Sequence, residues 1–328
     1  MKIENFSKEF IPLIDKEIKK IIESGKFPNL YDGMEYAISA GGKRLRPVLC
    51  LTICKTLGGN IEDALPFAAS IEIIHNFTLV HDDIEDGDEL RRGLPSVWKK
   101  YGIPHAINIG DGMIFKAYEC MLKSDLPTEK VLKLADMFTD TIMKIIEGQD
   151  MELNLSEKDF VTVDEYEEMT GKKDGVLFGL SLSGGAIIAN ASEQTVRNLM
   201  EYGKMIGTAF QIRDDILNLT GKQERYGKEI YGDIKEGKRT LVTINCLESC
   251  NKVEKRKLLE ILKKPREKVN NDDISFVLSL IKKYKSTQFA SKRTEKLLEE
   301  SKKYLKNIDD RLRDIIEEFS EFMVKREY

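Results

Sequence analysis

The stretch HNFTLVHDDIEDGDELRRG, at residues 75–93, places many ionisable side chains directly after an apolar run. On a helix, four residues lie along one face at spacings of three or four residues, so two carboxylates project side by side; they are His75, Leu79, Asp82 and Asp86. Like charges at that spacing destabilise a helix by about 0.2–0.5 kcal/mol, unless a divalent cation that prefers oxygen ligands binds between them. The stretch therefore indicates a metal site, with a solvated charge run as the alternative.

Arg91 and Arg92 end the same stretch, where Gly87 and Gly93 predict a turn. Arginine presents a planar fork of N–H donors that matches phosphate oxygens in a bidentate arrangement. The acidic cluster, the turn and the arginine pair together favour a metal-bound polyphosphate as the ligand.

A second acidic helix is predicted at residues 207–220, GTAFQIRDDILNLT. Its polar side chains fall on or near one face, opposite Phe210 and Leu217; they are Gln211, Asp214, Asp215 and Asn218. Adjacent aspartates in an otherwise apolar helix are costly to bury without a partner. We therefore expect the two acidic helices to face each other across a helical bundle and to hold several Mg²⁺ ions.

Three basic segments have the residue types that bind an anion. GGKRLRPVLC at 41–50 places Lys43, Arg44 and Arg46 before a helix, and its glycines let backbone amides and cations approach a phosphate there. We expect TGKKDG at 170–175 to interrupt a helix and present Lys172 and Lys173. We expect the segment 225–240 to present Lys228, Asp233, Lys238, Arg239 and Thr240. Taken singly, each segment is equally typical of a solvated basic loop.

The composition bounds the class of protein. With 328 residues, 41% of them hydrophobic, the chain can bury a substantial core. Its formal net charge of -4, from 52 basic and 56 acidic residues, gives no overall basic field of the kind that binds nucleic acid.

The cysteine pairs Cys50/Cys54 and Cys246/Cys250 lie in apolar helical stretches, which favours buried thiols in a reducing compartment over a zinc site. Neither a signal peptide nor a span of about 18 apolar residues is evident, so we expect a cytoplasmic protein without a membrane span.

Apolar residues recur at helical spacing along most of the chain, and no convincing alternating strand is found. The spacing predicts helices at about 3–24, 30–40, 46–58, 62–86, 105–124, 128–153, 164–190, 193–219 and 238–250, with shorter ones beyond. Near the C-terminus an apolar stripe predicts a peripheral helix packed on the core, through Leu297, Leu305, Ile308, Leu312, Ile315, Ile316 and Phe319. No Pro/Gly/Ser-rich linker divides the chain, so the prediction is an all-α bundle in one domain, 1–328.

Four motifs in chain order, GGKRLRP, LVHDDIEDGDELRRG, FQIRDDILN and GDIKEGKRT, resemble those of the trans-isoprenyl diphosphate synthases. The resemblance runs from about residue 30 to the C-terminus and is nearest in pattern to the archaeal-type geranylgeranyl and farnesyl diphosphate synthases. It implies a helical bundle around a deep central cavity, usually in a homodimer, that condenses isopentenyl diphosphate with an allylic diphosphate. It also implies Mg²⁺ as the cofactor, with three ions in each active site.

The resemblance assigns roles residue by residue. The acids Asp82, Asp83, Asp86, Asp214 and Asp215 match the two aspartate-rich motifs and, with Lys173 and Lys238, are the expected catalytic set; the expected metal ligands are Asp82, Asp86 and Asp214. Isopentenyl diphosphate is expected to bind Lys43, Arg46, His75 and Arg92. The allylic diphosphate is expected to bind Arg91, Lys173, Asp174, Gln211, Lys228 and Lys238. In the implied chemistry, these cations and the metals neutralise the diphosphate as its bond to the allylic carbon breaks.

Product length in the resembling family depends on the residues one helical turn before the first aspartates. Here they are Phe77 and Thr78, one aromatic and one small residue, which implies a product of fifteen to twenty carbons, with twenty favoured. Plain core packing is the alternative for Phe77. His81 matches a histidine that is usual in the family, and we expect it to form a hydrogen bond with a neighbour rather than to bind metal.

Two residues depart from the family pattern. Asn218 stands where aspartate is usual, so it keeps an oxygen ligand and loses a charge, and Asp174 stands where threonine is usual, so it adds an anion near the diphosphate. Two other functions remain open at this point. A noncatalytic subunit of a heteromeric prenyl synthase would not turn over alone, and a terpene cyclase would not need a second diphosphate site.

Overall fold

The protein is almost entirely helical. The computed structural model describes residues 3–23, 25–221 and 229–325. The elements are α1 (Ile3–Ile22), α2 (Pro28–Ser39), α3 (Leu45–Thr56), α4 (Ile61–Glu85), β1 (Leu90–Arg91), β2 (Leu94–Pro95), α5 (Val97–Tyr101), α6 (Ile103–Leu122), α7 (Thr128–Glu157), α8 (Val163–Thr170), a π-helical turn (Gly171–Gly175), α9 (Val176–Ile188), α10 (Glu193–Thr220), α11 (Gly232–Lys235), α12 (Leu241–Ser249), α13 (Lys252–Leu262), a 3₁₀ turn (Arg266–Lys268), α14 (Asn271–Tyr284), α15 (Ser286–Ser301), a 3₁₀ turn (Lys302–Leu305) and α16 (Asp310–Lys325). This confirms the predicted all-α fold class.

The chain separates into two compact units. Unit 1 comprises residues 1–141, 177–203 and 304–319, and unit 2 comprises residues 142–176, 204–303 and 320–328. In unit 1 the central helix is α4, which buries side chains around its whole circumference, as a helix inside a core does. In unit 2 the core is a single apolar cluster to which α8, α10, α12, α14 and α15 contribute.

The only strands in the described part of the chain form one hairpin that the sequence did not predict. Leu90 pairs with Pro95 and Arg91 with Leu94 in antiparallel register, so only Arg92 and Gly93 form the turn. Both turn residues have positive φ, 55° and 78°, as a two-residue type I′ turn requires. Strands of two residues are too short to produce an alternating pattern, which is why they were missed.

Residues 170–175 interrupt the α-helix as predicted, but the interruption is a π-helical turn and not a loop. A π-helical turn, Gly171–Gly175, continues the chain from α8 into α9. Glycine permits the close packing of this turn: a Cβ on Gly175 would lie 2.6 Å from the carbonyl oxygen of Lys204, and one on Gly148 would lie 2.4 Å from the amide nitrogen of Lys173. Such π-turns inside helices are frequent at functional sites.

The apolar stripe near the C-terminus also differs from the prediction of one peripheral helix. Leu297 belongs to α15, whereas Leu312 and Phe319 belong to α16, and a break with a 3₁₀ turn separates the two helices. All the residues of the stripe are buried, as the prediction of a stripe packed on the core requires.

The cysteines behave as the sequence predicts. Cys50, Cys54, Cys120 and Cys246 are buried and Cys250 is half-buried, and all five are free thiols. Burial raises the pKa of Cys54 to about 11 and of Cys120 to about 12. Among the described residues, no group of three potential metal ligands contains a cysteine. Across these same residues, no helix combines the length and the apolar character needed to cross a membrane.

Candidate active site

The end of α4 presents the first acidic motif. The helix is capped at its start by Asn60, whose side chain accepts a hydrogen bond from the backbone of Glu62, and it stops shortly before Gly87, which adopts a φ of 68°. The amide of Asp88 then donates to the carbonyl of Asp83 over 2.9 Å, a bond that closes the final turn. The glycine stop directs the chain back beside the helix end, so Asp88 joins the acids of the last helical turn.

Three carboxylates of unit 1 lie close together at this helix end. Oxygen atoms of Asp82 and Asp86 lie within 4.8 Å of each other, as do those of Asp86 and Asp88. A donor set made only of carboxylate oxygens suits a hard cation such as Mg²⁺. This acidic cluster thus offers carboxylate oxygens to a metal ion in two pairs that share Asp86, and Asp88 extends it beyond the residues that the sequence singled out.

Arg91 binds the acidic cluster from the hairpin. Its Nε donates to Asp83 Oδ1 over 2.8 Å, its Nη2 contacts the same oxygen, and Nη2 lies 3.5 Å from Asp82 and 3.8 Å from Asp88. Burial alone would lower the pKa of Arg91, but the carboxylates of Asp83, Asp82 and Asp88 raise it above its usual value. Arg91 therefore already neutralises part of the cluster.

Arg92 turns away from the acids toward the α2–α3 loop. Its Nη1 donates to the carbonyl of Gly41 and lies 3.4 Å from Asn76 Oδ1. Its guanidinium lies directly over Gly42, where an added Cβ would come within 2.9 Å of Nη2. Gly42 also has a φ of 134°, a conformation that favours glycine. Both this backbone conformation and the closeness of Arg92 therefore require a residue without a side chain at position 42. The glycine pair and Arg92 form one assembly within unit 1.

Arg46 and His75 lie beside this assembly. Arg46 Nη1 is 3.3 Å from His75 Nε2, and the guanidinium carbon of Arg46 lies 4.3 Å from the centre of the Phe178 ring. Burial and the positive charges of Arg46 and Arg92 lower the pKa of His75 well below its usual value. Since arginine can only donate, Nε2 accepts and the proton of the neutral ring resides on Nδ1. Lys43, the remaining residue predicted to bind isopentenyl diphosphate, is exposed.

The second acidic motif lies on α10 in unit 2. Asp215 is buried and accepts hydrogen bonds from Tyr166 Oη over 2.6 Å and from Gln211 Nε2 over 2.9 Å. Burial raises the pKa of Asp215 to about 6, although the bonds from Tyr166 and Gln211 act in the opposite direction. Phe210, Leu217 and Asp215 are all buried, whereas Gln211 and Asp214 are half-buried.

The two lysines predicted to be catalytic share a carboxylate in unit 2. Lys173 Nζ lies 2.5 Å from Glu152, and Lys238 Nζ lies 3.9 Å from Glu152 and 2.9 Å from Glu236. Lys173 belongs to the π-helical turn and Lys238 follows α11. The ion pairs with Glu152 thereby bring two chain segments to one point, where the two lysines are balanced by Glu152 and Glu236. Asp174 is half-buried in the same π-helical turn.

Asn218 has a different environment from the one its sequence position suggests. Its Oδ1 accepts from the backbone amide of Asp233 over 3.3 Å, and its Nδ2 donates to the carbonyl of Glu229 over 3.5 Å. The carbonyl of Asn218 also accepts from the amide of Tyr231. In this structure the side-chain oxygen that was expected to serve as a metal ligand therefore holds the start of α11. Lys228 lies outside the described residues.

Phe77 and His81 form an aromatic pair on α4. Their ring centres are 4.9 Å apart in an edge-to-face arrangement, and Phe77 is 5% exposed. His81 Nε2 is 3.4 Å from the carbonyl of Ile107, and its ring occupies the space that a Cβ on Gly110 would need. Thr78, the second residue predicted to affect product length, donates its hydroxyl to the carbonyl of His75.

Comparison with known proteins identifies the class to which this geometry belongs. The family model described as polyprenyl synthetase matches residues 27–281. The chain belongs to the polyprenyl synthetase family. It is 38% identical over 95% of its length to a geranylgeranyl diphosphate synthase of Sulfolobus acidocaldarius, of which 92% is covered. It is also 38% identical to a short chain isoprenyl diphosphate synthase of Methanocaldococcus jannaschii, over 84% of this chain and 83% of that protein.

A solved structure supports the same assignment. The geranylgeranyl pyrophosphate synthetase of Pyrococcus horikoshii superposes with a TM-score of 0.89 at 33% identity, over 99% of this chain and 98% of that one. This polyprenyl synthetase is therefore a prenyltransferase with the all-α fold of its family.

Sequence reasoning missed four polar residues of this prenyltransferase. Asp88 joins the acidic cluster, Glu152 binds both lysines, and Glu72 and Asn76 are buried next to Arg44 and Arg92. Glu72 and Asn76 stand in an apolar run and so resembled core positions of a helix. Glu152 stands among several other acids of α7, and no spacing set it apart.

Proposed function

We propose that this prenyltransferase condenses isopentenyl diphosphate with an allylic diphosphate to make a short-chain product, with geranylgeranyl diphosphate favoured over farnesyl diphosphate. The observation that carries the proposal is the arrangement along α4 and its hairpin. The acidic cluster of Asp82, Asp86 and Asp88 lies at the helix end, and a separate cluster of Arg46, His75 and Arg92 lies away from it in the same unit. One cluster suits a metal-bound diphosphate, and the other suits a diphosphate bound by cations alone.

The metal chemistry follows from the donor set. Asp82 and Asp86, with Asp214 of the second motif, are the proposed ligands, and Mg²⁺ bound there would supply positive charge to the departing diphosphate. We propose three ions per active site. The roles of Asp83 and Asp215 are accordingly supportive, since their carboxylates are held by Arg91 in one case and by Tyr166 and Gln211 in the other.

The remaining steps fall to cationic side chains. Lys173 and Lys238 neutralise the diphosphate as its bond to the allylic carbon breaks, and Arg91, Gln211 and Lys228 complete the proposed allylic site. Lys43, Arg46, His75 and Arg92 hold isopentenyl diphosphate with its double bond toward the allylic cation. Bond formation is followed by loss of a proton to the released diphosphate, which yields a product five carbons longer. No side-chain nucleophile is needed, and the proposed central cavity excludes water that would quench the cation.

Product length is the part of the proposal that rests on Phe77. The ring is buried in unit 1 one helical turn before the acidic cluster, with Thr78 beside it. An aromatic ring in that position would stop a growing apolar chain that extends along α4 from the metal site. A product of twenty carbons agrees with the names of the relatives from Sulfolobus acidocaldarius and Pyrococcus horikoshii.

We also propose that residues 1–328 act as a single catalytic domain in a cytoplasmic homodimer. Support for the dimer comes from α6, whose outer face exposes Ile103 at 47%, Ile107 at 42%, Phe115 at 73% and Leu122 at 61%. Large apolar side chains in one exposed row are typical of a surface that another chain covers. Sedimentation of the purified protein tests this assembly, and Phe115→Glu is expected to shift the protein toward monomer.

One assay tests the function. Purified protein with Mg²⁺ and labelled isopentenyl diphosphate is offered five-, ten- and fifteen-carbon allylic primers, and the products are separated by chain length. We expect elongation of all three to twenty carbons, and loss of turnover in Asp82→Ala. Absence of turnover with every primer would favour a noncatalytic subunit, and release of a hydrocarbon from the allylic substrate alone would favour a cyclase.

A further inference from the structure

A chain of buried polar side chains connects the α2–α3 loop to α4 within unit 1. Arg44 Nη1 donates to Glu72 Oε1 over 2.8 Å, and Asn76 Nδ2 donates to the same oxygen over 3.0 Å. Asn76 Oδ1 lies 3.4 Å from Arg92 Nη1. Arg44, Glu72 and Asn76 are 6%, 2% and 2% exposed, so they do not themselves contact a ligand from solution.

Arg44 fixes the loop that contains the glycine pair. Its backbone has a φ of 49°, which costs a non-glycine residue about 1–2 kcal/mol and persists only where the surroundings determine it. Here the surroundings do so, because Nη2 donates to the carbonyl of Ile38 over 2.9 Å and Nη1 donates to that of Gly41 over 3.1 Å. Gly41 also accepts from Arg92, so one carbonyl is shared by two arginines.

Glu72 determines how Asn76 is oriented. The Asn76 amide donates both to the backbone carbonyl of Glu72, over 2.8 Å, and to its carboxylate. With the nitrogen committed to these acceptors, the oxygen of the amide must face Arg92. Burial lowers the pKa of Arg92 to about 10, while the negative charge of Glu72 acts in the opposite direction. Glu72 is thus the anion that compensates the buried positive charge nearby.

We propose that Glu72, acting through Arg44 and Asn76, is a positioning residue that holds Arg92 and the Gly41–Gly42 loop in the geometry that binds isopentenyl diphosphate. This inference rests on the proposed function. It predicts that the conservative substitution Glu72→Gln, which keeps the shape and removes the charge, weakens binding of this one substrate. The neutral amide accepts less strongly from Arg44, and its nitrogen competes for the orientation of Asn76.

The primary measurement does not depend on turnover. Calorimetric titration with isopentenyl diphosphate in EDTA gives its Kd for the wild-type protein and for Glu72→Gln. A hydrogen bond to a charged group contributes about 1.5–3 kcal/mol, so we expect Kd to rise by at least about tenfold. Steady-state kinetics should give a matching rise in KM for isopentenyl diphosphate, with kcat and KM for the allylic substrate changed less than about twofold.

Controls separate positioning from general damage. Glu62→Gln, on an exposed glutamate of the same helix, should leave every constant unchanged. Asn76→Ala retains the Arg44–Glu72 ion pair and should still weaken binding, which covers the case in which Glu72→Gln folds poorly. A double-mutant cycle of Glu72→Gln with Arg92→Lys should give a loss smaller than the sum of the single losses.

The outcomes are distinguishable. If the wild-type protein turns over and Glu72→Gln and Asn76→Ala both bind isopentenyl diphosphate as the wild type does, the positioning role is wrong and the proposed function stands. An equal loss for both substrates would assign the network to folding alone and also overturn the inference. If the wild-type protein neither binds nor converts isopentenyl diphosphate, the proposed function fails and the inference fails with it.

Discussion

Asp83 and Arg91 form a buried ion pair, in which Arg91 Nε donates to Asp83 Oδ1 over 2.8 Å and the side chains are 2% and 12% exposed. The pair divides the first acidic motif into acids with different tasks. Asp83 is committed to arginine, whereas Asp82 and Asp86 remain at the cluster where oxygen donors converge. The motif therefore combines a structural acid with the proposed metal ligands.

This division predicts different effects for two neighbouring substitutions: one mainly lowers stability, and the other mainly weakens the response to Mg²⁺. Removing one partner of a buried ion pair costs about 3–5 kcal/mol, so Asp83→Ala should lower the free energy of unfolding by about that amount in EDTA. Asp82→Ala should lower it by less than about 1 kcal/mol and should raise the Mg²⁺ concentration needed for half-maximal activity by at least about tenfold. Urea unfolding and Mg²⁺ titration measure the two quantities. Equal effects of both substitutions on both quantities would contradict the division.

Gly42 offers a test of the contact with Arg92. A Cβ there would lie 2.9 Å from the guanidinium, so Gly42→Ala should displace Arg92 and raise KM for isopentenyl diphosphate by about tenfold. Gly58→Ala is the matched control, because Gly58 also has a positive φ, 81°, and a Cβ added there would meet no atom within 4 Å. Both substitutions should destabilise the protein by about 1 kcal/mol, but only the first should change KM. A rise in KM with both would point to backbone strain in general.

His75 predicts a pH dependence of stability. The pKa of His75 is lowered in the folded protein, whereas in the unfolded chain it is near 6.5. At pH values between these two pKa values, the unfolded chain binds a proton at His75 and the folded protein does not. The free energy of unfolding therefore falls as the pH drops below about 6.5, by up to about 1.4 kcal/mol per pH unit for this group. His75→Gln should remove that contribution, whereas His105→Gln, on an exposed residue of α6, serves as the control. Urea unfolding from pH 7 to pH 5 in EDTA measures the slopes, and identical slopes for wild type and His75→Gln would refute the prediction.

Asn218 is expected to stabilise the fold and not to bind the metal. Asn218→Ala removes the acceptor for the Asp233 amide and should lower the free energy of unfolding by about 1 kcal/mol, with the half-saturating Mg²⁺ concentration changed less than about twofold. Asp214→Ala, four residues earlier on α10, should instead raise that concentration at least about tenfold. A strong Mg²⁺ effect of Asn218→Ala would restore it as a ligand.

Phe77 is expected to limit the product. Phe77→Ala removes the ring beside His81 and should shift the product distribution beyond twenty carbons, which chromatography of the dephosphorylated products measures. Phe67→Ala, on a fully buried phenylalanine of the same helix, should cost a similar stability, about 3–5 kcal/mol, without a longer product. Unchanged chain length in Phe77→Ala would leave Phe77 as a core residue only.

The sequence predicted the helices well because their signals are local. Apolar spacing marked α1, α4 and α10 to within two residues at each end, and glycine at position 87 marked the end of α4. Candidate site residues could be singled out wherever residue type alone suggests chemistry, as with Asp82, Arg46 and Arg92. These signals need no knowledge of which segments meet in space.

Contacts between distant segments could not be predicted in the same way. Glu72 and Asn76 occupy core positions of an apolar helix, and only the approach of Arg44 and Arg92 gives them a polar role. Asn218 was read as a weakened metal ligand because its contact with the start of α11 depends on a turn that no local pattern specifies. The ion pair of Asp83 depends likewise on a hairpin of two-residue strands.

The bond between Arg92 and the carbonyl of Gly41 joins residues 51 positions apart, and it has a consequence for folding. Closing a contact of such separation carries a large entropic cost unless the intervening chain, which contains α3 and α4, is already ordered. A ligand that requires this contact binds the folded unit 1 and not its separate helices. It therefore stabilises the folded state by mass action. Isopentenyl diphosphate should thus act as a folding ligand for unit 1, and protection of the α3 and α4 amides from hydrogen exchange should increase with its concentration.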